Sequence, residues 1–551
     1  MIGSLRLIVL GVATALVIGV PQAPAATSQE TMMQDDLAVF GPDTDAVLTQ
    51  MRTLGVDRLR IAVRWLLIAP DPGSHKRPHG FNANNPADYP AANWTGLDRV
   101  VTEATKLHLD INFNVVGGAP LWATGGGAPR DGKPHYNWAP KGKEFGSFVR
   151  ALATRYSGTY NPTTNRQARG DSGDLPAVHF WSIWNEPDYG PSLAPQGDPK
   201  HAGHSSIERS PWNYRNLVDG AWTALQQQSS HRHDTFLIGE VAPRGGPPNK
   251  LGLFNGMTPL QFVRALYCVD THYRPLRGTA AAVRGCPKNA AASRLFRRQH
   301  PGLFSASGFA DHPYSRWYPP NVEAQPSPEW TALAQIGNLT RALDRVTAAY
   351  QAHPHFPIWN TEYGYITSPP KRPTKRLPYI GPSKAAYYLN WAEYISWKNT
   401  RIRSYMQYLL RDALPALRSN DYGGFASGLE NYARKPKQTY DAFRLPLYLP
   451  VTKIRRGRQV EVWGCARPAH SAMIDAPADP ETVQIQFRPA SGGSFTTLRT
   501  VTITDPHGYF DTHMSFPKSG TVRLSWTYPA DDPLLLPGQT VHSRYQNITV
   551  R

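Results

Sequence analysis

Three cysteines among 551 residues are too few for a scaffold held together by disulfides. Cys268 and Cys286 lie close together in what looks like a loop insertion, so we expect a local disulfide between them in an oxidising compartment. Cys465 is left over, and we expect a buried thiol in the C-terminal domain. No histidine partner is evident nearby, so we do not expect it to be a nucleophile. The fold must therefore rest on hydrophobic cores, for which this length offers material for two or three domains.

Long apolar runs are also missing, except for one at the start of the chain. Leu7–Val20 is apolar, Arg6 precedes it, and Ala23-Pro24-Ala25 follows as an A-x-A cleavage site. This pattern predicts a signal peptide over residues 1–25, and the run is too short to span a bilayer comfortably. With no later run of that length and no lipobox cysteine, we expect a secreted, extracellular protein without a membrane anchor.

Acidic residues are scarce relative to basic ones, with 41 Asp and Glu against 59 Lys and Arg, a net charge of +18 and a pI near 9.7. The basic residues are scattered, apart from small clusters at Lys371–Arg376 and Arg455–Arg458. No dense basic block with interleaved aromatics and no nucleic-acid motif is present, so we expect no nucleic-acid partner. A generally basic surface is favoured, and loose association with an anionic cell wall stays open.

Motifs for cofactors and metals are lacking as well. Gly125–Gly127 has no strand-and-helix context and is therefore no phosphate-binding loop. His231 with His233, and His201 with His204, lie in polar loops without a supporting carboxylate pattern. We expect neither a cofactor nor a metal.

The stretch Val178–Pro187 reads as a buried strand that ends in polar residues. Its first seven residues are mostly apolar and aromatic, as in a strand covered on both faces, and Pro187 cannot continue the backbone ladder. Asn185 and Glu186 then lie at the carboxyl end of the strand, where a parallel α/β barrel places its chemistry.

A second glutamate, Glu362, ends the short apolar segment that begins at Phe356. Two carboxylates at strand ends suit hydrolysis of a glycosidic bond, with one acid and one nucleophile flanking the anomeric carbon. The alternative is two strand ends that carry solvated carboxylates.

Trp184-Asn185-Glu186-Pro187, followed much later by Trp359-Asn360-Thr361-Glu362-Tyr363-Gly364, resembles the retaining glycosidases of clan A. The pattern is most similar to families 39 and 5, in a secreted actinobacterial form, over roughly residues 36 to 446. The resemblance implies a (β/α)8 barrel with Glu186 as acid/base and Glu362 as nucleophile, and we expect the two carboxyl groups to lie roughly 5 Å apart.

The same resemblance implies further substrate-binding residues. Arg60, within the second strand, would keep the nucleophile ionised, and Asn185 would hydrogen-bond the sugar 2-hydroxyl. His312 would line the site and Tyr314 would donate its hydroxyl to the nucleophile.

Three other residues have less defined roles. Trp122 follows the third strand and is either a sugar platform or a packing residue, and Gln407 near the end of strand eight is a candidate substrate-binding residue. Glu240 also ends a strand, and we expect a subsite or structural role for it.

The order of elements predicts an α/β chain: a (β/α)8 TIM barrel over residues 26–447, followed by a small β-sandwich over 448–551. The first strand is indistinct, and we place it near Gln34–Phe40. From Val451 the apolar period becomes two, as in Val483/Ile485/Phe487. Packing against the barrel is favoured over carbohydrate binding as the role of the sandwich.

These observations predict a secreted, monomeric retaining glycosidase that acts on O-glycosidic bonds, expected to be β-linked, of an oligo- or polysaccharide. The alternative from another class is a non-catalytic carbohydrate- or cell-wall-binding protein on a glycosidase barrel. Transfer of the glycosyl group to another sugar in place of water stays open.

Overall fold

The computed structural model describes residues 29–167, 173–201, 203, 205–247, 250–323, 327–414, 425–475 and 480–551. The predicted signal peptide and His204 lie outside the described residues. Within them the chain forms a parallel barrel followed by a two-sheet β domain, as the sequence predicts.

Eight parallel strands form the barrel. They are β1 Glu30–Gln34, β2 Arg58–Arg64, β3 Asp110–Val116, β4 Phe180–Ile183, β5 Thr235–Val241, β6 Gly308–Asp311, β7 Ile358–Asn360 and β8 Ser404–Tyr408. The hydrogen-bonded order is β8-β1-β2-β3-β4-β5-β6-β7. Ile358 exchanges backbone hydrogen bonds with Arg401 and Arg403, at 2.7 and 2.9 Å, and so joins β7 to the chain entering β8. The barrel is therefore closed, and its strand ends meet at one mouth.

The described residues contain fourteen α-helical segments. Most of them lie in the connections between successive barrel strands. They are α1 Asp36–Val39, α2 Thr44–Thr53, α3 Trp65–Ile68, α4 Ala91–Lys106, α5 Gly142–Arg155, α6 Ser210–Gln226, α7 Pro259–Leu266, α8 Gly278–Ala282, α9 Ala290–Gln299, α10 Gly302–Ser305, α11 Ile336–Ala348, α12 Pro382–Trp397, α13 Gln438–Arg444 and α14 Arg467–Asp475. None of these helices is both long enough and apolar enough to cross a bilayer.

The predicted position of the first strand is wrong. β1 ends at Gln34, and of the residues predicted for this strand Asp36–Val39 instead form the short helix α1. Met32 and Met33 are both buried, so the strand shows no alternation by which it could be recognised. Asp35 caps α1, because its carboxylate accepts a 3.1 Å hydrogen bond from the amide of Ala38.

The helix α2 begins directly after Asp43, whose side chain makes no capping hydrogen bond. Gly55 ends the segment with a φ of +75°, in the left-handed region that favours glycine. A Cβ at Gly55 would lie 2.4 Å from the backbone of Arg467, so glycine also permits close packing of the two domains here.

Nine strands form the described part of the C-terminal β domain. They are β9 Leu447–Tyr448, β10 Lys453–Ile454, β11 Val460–Cys465, β12 Thr482–Pro489, β13 Thr496–Thr502, β14 Tyr509–Met514, β15 Gly520–Thr527, β16 Thr540–His542 and β17 Gln546–Val550. One sheet has the order β9-β11-β14; the other has the order β10-β17-β15-β12-β13, with β16 beside β15. Alternate residues such as Ile485, Leu524 and Trp526 fill the core between the sheets. The predicted β-sandwich is confirmed.

The sandwich packs on α12 and on the amino ends of the barrel strands. Arg467 forms an ion pair with Glu393 of α12, both side chains being almost fully buried. The hydroxyl of Tyr509 donates to the same carboxylate at 3.0 Å. Trp463 stacks at 5.9 Å against Tyr509 within an aromatic cluster that extends over α12. The sandwich is therefore fixed at the end of the barrel opposite the mouth.

The cysteines lie as expected. Cys268 and Cys286 are joined by a disulfide with a Cα–Cα distance of 5.6 Å, and Cys465 is a buried free thiol.

Candidate active site

Glu186 is presented at the mouth of the barrel by a turn that leaves β4. Trp184 and Glu186 have φ values of +66° and +40°, which are unusual for residues with side chains. The amide of Glu186 donates to the carbonyl of Glu240 at 2.8 Å, which fixes this turn to the neighbouring strand. Such local strain is typical of functional turns that a rigid scaffold holds in place.

Glu362 lies two residues beyond β7, and its carboxylate accepts hydrogen bonds from two predicted site residues. Arg60 donates from Nη1 at 2.9 Å, and the hydroxyl of Tyr314 donates at 3.1 Å. The Glu362 side chain is only 12% exposed. Donors on both oxygens favour the ionised carboxylate at this position.

His312 lies between the carboxylates. Its Nδ1 is 3.1 Å from Glu186 and 3.5 Å from Glu362, and its Nε2 is 2.7 Å from Glu240. One ring nitrogen of His312 and one carboxylate oxygen each of Glu186 and Glu362 lie within 4.8 Å of one another. The carboxylates of the two strand-end glutamates therefore lie close enough together to act on the same atom of a bound molecule.

Glu240 is fully buried beneath this pair. Arg60 donates to it at 2.8 Å, and the hydroxyl of Thr361 donates to it at 2.9 Å. Burial alone would raise the pKa of Glu240, but the charges of Arg60 and His312 outweigh burial and lower that pKa to about 2. No part of Glu240 reaches the cavity. Of the two roles expected for Glu240, a subsite role and a structural role, its position therefore fits only the structural one.

The other ionisable groups shift in accordance with these contacts. Burial would lower the pKa of His312, but Glu362, Glu186 and Glu240 raise it well above its usual value, so the ring is an imidazolium. Burial raises the pKa of Glu362, and the charge of Glu186 adds to this rise, although His312 and Arg60 oppose it. Burial would also lower the pKa of Arg60, yet Glu240 and Glu362 raise it.

The charges at the mouth do not balance when all groups are ionised. Three glutamates, Glu186, Glu240 and Glu362, face two cations, Arg60 and His312. Because Glu240 is held ionised, the surplus negative charge falls on the pair formed by Glu186 and Glu362. Such a pair retains one proton more readily than an isolated carboxylate does.

A cavity of about 260 Å³ opens above Glu362, and polar side chains predominate in its lining. The Oδ1 of Asn185 accepts a hydrogen bond from Arg60 at 3.0 Å, so the amide nitrogen of Asn185 is left to face the cavity. Trp184 and Tyr408 supply aromatic surface. A Cβ on Gly117 would lie 2.4 Å from the ring of Trp184, so only glycine allows the cavity wall to pack there.

Two predicted substrate-binding residues do not reach the cavity. Trp122 is only 4% exposed and packs edge-on against Trp65 at 6.2 Å, so it is a packing residue and no sugar platform. Gln407 is fully buried, and its amide donates to the carbonyl of Ser427 at 2.8 Å. Gln407 therefore supports the loop after β8, which corrects the predicted contact with substrate.

Three residues of the site were not recognised in the sequence. Gln34 accepts a hydrogen bond from Arg60, and Asn114 donates to the carbonyl of Trp184 at 2.6 Å. Tyr408 lines the cavity at the end of β8. Gln34 was missed because the first strand was misplaced. Tyr408 could have been predicted, because it lies at a strand end.

Glu186, His312 and Glu362 could in principle be metal ligands. Both nitrogens of His312 already contact carboxylates, at 3.1 and 2.7 Å, so neither is free to bind a metal ion. The arrangement suits proton transfer and nucleophilic attack by carboxylates.

No protein-family model and no curated protein sequence matches this chain. Among solved structures, the chain is similar to a family 39 glycoside hydrolase from Bacteroides cellulosilyticus WH2, with a TM-score of 0.44 and 12% identity over 89% of this chain and 80% of that one. It is similar to an endo-beta-1,4-mannanase from Thermotoga petrophila, with a TM-score of 0.38 and 11% identity over 95% and 98%. A third similar structure, GH5_18 from Streptomyces cattleya in complex with GlcNAc, has a TM-score of 0.41 and 14% identity over 76% and 80%. These likenesses are distant, so the chemistry of this chain follows from its own side chains.

Proposed function

We propose that the protein is a retaining glycosidase that hydrolyses β-linked O-glycosidic bonds by double displacement. The observation that carries the proposal is the short gap between the strand-end carboxylates, with oxygens of Glu186 and Glu362 within 4.8 Å of each other. Retaining enzymes hold their two carboxyl groups roughly 5 to 5.5 Å apart, whereas inverting enzymes need roughly 6.5 to 9.5 Å to admit a water molecule.

In the first step, Glu362 attacks the anomeric carbon and forms a glycosyl ester, while Glu186 gives its proton to the departing oxygen. In the second step, Glu186 takes a proton from water, and the resulting hydroxyl displaces Glu362 from the anomeric carbon. Each displacement inverts the anomeric centre, so the product has the configuration of the substrate.

The surrounding side chains support this assignment of roles. Glu362 accepts from Arg60 and Tyr314, which favours its ionised form as nucleophile. The acid/base role then falls to Glu186, the other carboxylate at the mouth, which gives its proton to the departing oxygen. When the ester forms, the negative charge of Glu362 is consumed, and Glu186 then serves as base toward water.

Asn185 has a role in binding the sugar. Its Oδ1 is held by Arg60, so its Nδ2 donates into the cavity toward the position of a 2-hydroxyl. A hydrogen bond to this hydroxyl strengthens in the oxocarbenium-like transition state.

The non-catalytic alternative accounts less well for the buried charges. A protein that only binds sugars gains nothing from two carboxylates facing each other over a protonated histidine, and bears the cost of their repulsion and desolvation. Retention of that arrangement favours chemistry over binding alone.

Export and a monomeric state belong to the same proposal, with residues 26–447 as catalytic domain and 448–551 as accessory domain. The Cys268–Cys286 disulfide is compatible with an oxidising, extracellular compartment.

The test uses purified protein and a panel of β-linked polysaccharides and aryl glycosides. Glu362→Gln is the inactive variant, and Glu103→Gln, which removes a charge from an exposed i,i+3 pair with Lys106, is the matched control. Cleavage by the wild type and Glu103→Gln alone, with the first product in the substrate's anomeric configuration by proton NMR, supports the proposal. Inverted product contradicts the mechanism, and equal binding by all three proteins without turnover supports the binding-protein alternative.

A further inference from the structure

Three groups of histidines and carboxylates in the described part of the chain bring their ligand atoms within 4.8 Å of one another. One is the candidate active site. In the second, Asp234 accepts from His179, His231 and Trp181 at 2.6 to 2.7 Å, and the other nitrogen of His231 donates to the carbonyl of Ala153 at 2.8 Å. That carboxylate and the His231 ring are fully engaged, which leaves the third group as a candidate ligand site.

The third group joins the two domains. Asp57 directly precedes β2 at the amino end of the barrel, whereas His470 lies in α14 and His507 lies between β13 and β14 of the sandwich. The Nε2 of His470 is 3.0 Å from Oδ1 of Asp57, and the Nδ1 of His507 is 3.2 Å from Oδ2. Each domain therefore contributes part of one cluster.

The carboxylate of Asp57 is held in place but is not saturated. The residue is 92% buried, with 8% of its surface exposed, and the amide of Thr31 donates to Oδ2 at 2.7 Å. The buried Oδ1 accepts no hydrogen bond from any described residue, because the nearby His470 nitrogen is poorly aligned for one. An acceptor buried without a partner is costly unless something else binds it.

The surroundings favour a cation. A cavity of about 650 Å³ adjoins the cluster, and the carboxylates of Glu30 and Asp110 line it together with Asp57. The one arginine in its lining, Arg58, is already paired with Glu30 at 2.7 Å and with Asp110 at 3.0 Å. The chain as a whole has a net charge of +18, so the negative charge of this site is a local feature and not a property of the whole surface.

We propose that Asp57, His470 and His507 bind a divalent transition-metal ion of the Zn²⁺ type, which fastens the sandwich to the barrel. The Nε2 of His470 and the Nδ1 of His507 approach two different oxygens of Asp57, at 3.0 and 3.2 Å. The ligand atoms of the three residues lie within 4.8 Å of one another, which is close enough for one ion to contact all three. Two imidazoles and one carboxylate suit Zn²⁺, whereas Ca²⁺ and Mg²⁺ prefer oxygen alone. Water from the adjoining cavity completes the coordination.

This proposal does not depend on the proposed glycosidase activity. The site lies at the amino end of the barrel, and the cavity above Glu362 lies at the carboxyl end, so metal binding and catalysis are measured independently.

The experiment is calorimetric titration of the EDTA-treated, dialysed full chain with Zn²⁺. Four proteins are compared: the wild type, the double variant His470→Gln/His507→Gln, and two controls that disable the other clusters, His179→Gln and Glu362→Gln. We expect one strong site in the wild type and in both controls, and at least tenfold weaker binding in the double variant. Both replaced histidines are partly exposed, and the melting temperature without metal checks that the double variant folds.

Thermal unfolding provides a second measurement. Zn²⁺ should raise the Tm of the wild type and of both controls, because a ligand that binds the folded state stabilises it, and should not raise that of the double variant. Wild-type binding weaker than about 100 µM, or equal binding by the double variant, overturns the proposal. Loss of binding in Glu362→Gln instead assigns the ion to the active site and equally overturns it.

Discussion

Arg60 and Arg467 are both almost completely buried and both contact glutamate, yet their surroundings differ. Arg467 has one carboxylate partner, Glu393, and the pair lies between the barrel and the sandwich. Arg60 contacts two carboxylates, Glu240 and Glu362, at the barrel mouth. The first cluster is close to neutral, whereas the second, with Glu186 and His312 included, carries a surplus negative charge.

The difference teaches that the ratio of charges, more than burial or residue type, separates a structural cluster from a reactive one. In the one-to-one pair, burial raises the pKa of Glu393, and the charge of Arg467 opposes that rise. Three carboxylates that share two cations leave one group poised to keep a proton. Five predictions test this comparison.

The largest effect should come from Glu362→Gln. We expect kcat to fall by about 10³-fold or more, because the variant lacks the carboxylate that we propose as the nucleophile. The Tm should fall little, because the variant loses the ion pair with Arg60 but also loses a carboxylate whose pKa burial raises. Turnover assays beside differential scanning calorimetry check both parts. A large loss of stability in this variant would contradict the surplus of negative charge inferred for the cluster at the barrel mouth.

The next effect should come from Arg467→Met. We expect a loss of about 3–5 kcal/mol in the free energy of unfolding, since Glu393 would remain buried without its cation. The double variant Arg467→Met/Glu393→Leu should recover most of this loss, because an apolar pair of similar volume replaces a buried ion pair well. Urea denaturation measures the stabilities. We expect the double variant to have an unchanged kcat. A catalytic defect would contradict the distinction between the Arg467 cluster and the Arg60 cluster.

Glu240→Gln should have an intermediate effect. The variant loses the charge that orients His312 at 2.7 Å, and a hydrogen bond between charged groups is worth about 1.5–3 kcal/mol. That corresponds to a decrease in kcat of roughly 10- to 100-fold. The KM should change little, since Glu240 does not reach the cavity. A change confined to KM would contradict a positioning role.

The fold itself should lose stability in acid through Glu240. Its pKa is lowered in the folded state from 4.5 to about 2, so its contribution is present above pH 4.5 and is lost as the pH falls toward 2. Unfolding free energies of the wild type and Glu240→Gln, measured across this window, should converge as the pH falls. Parallel curves would contradict the lowered pKa.

The smallest effect concerns the pH dependence of kcat/KM. Burial raises the pKa of Glu362, so the acid limb should lie above the ordinary glutamate range, with activity rising as Glu362 loses its proton. Tyr314→Phe removes a donor to the ionised form and should move this limb upward by less than about one pH unit. If the acid limb of Tyr314→Phe coincides with that of the wild type, a group other than Glu362 controls it.

Much of the site could be predicted because its residues occupy strand ends. Glu186, Glu362, His312 and Tyr314 each follow an apolar segment, and parallel strands bring such positions together at one mouth. Whether a side chain there points into the cavity depends on packing, which the sequence does not encode locally. Trp122 therefore proved to be a packing residue.

Other features had no local signal. The buried residues Met32 and Met33 concealed β1, and with it the contact of Gln34 to Arg60. Asp57 and His470 are separated by most of the chain and meet only because the sandwich returns to the amino end of the barrel. No spacing rule connects residues that two domains contribute.

The most direct test of the central claim is covalent trapping. A 2-deoxy-2-fluoro glycoside of the sugar found active in the panel, with an activated leaving group, slows the second displacement and should accumulate the ester. Mass spectrometry of peptides should then find one fluorosugar on Glu362 in the wild type and none in Glu362→Gln. A label on Glu186 or Glu240, or turnover with an inverted product and no label, would contradict the double displacement through Glu362.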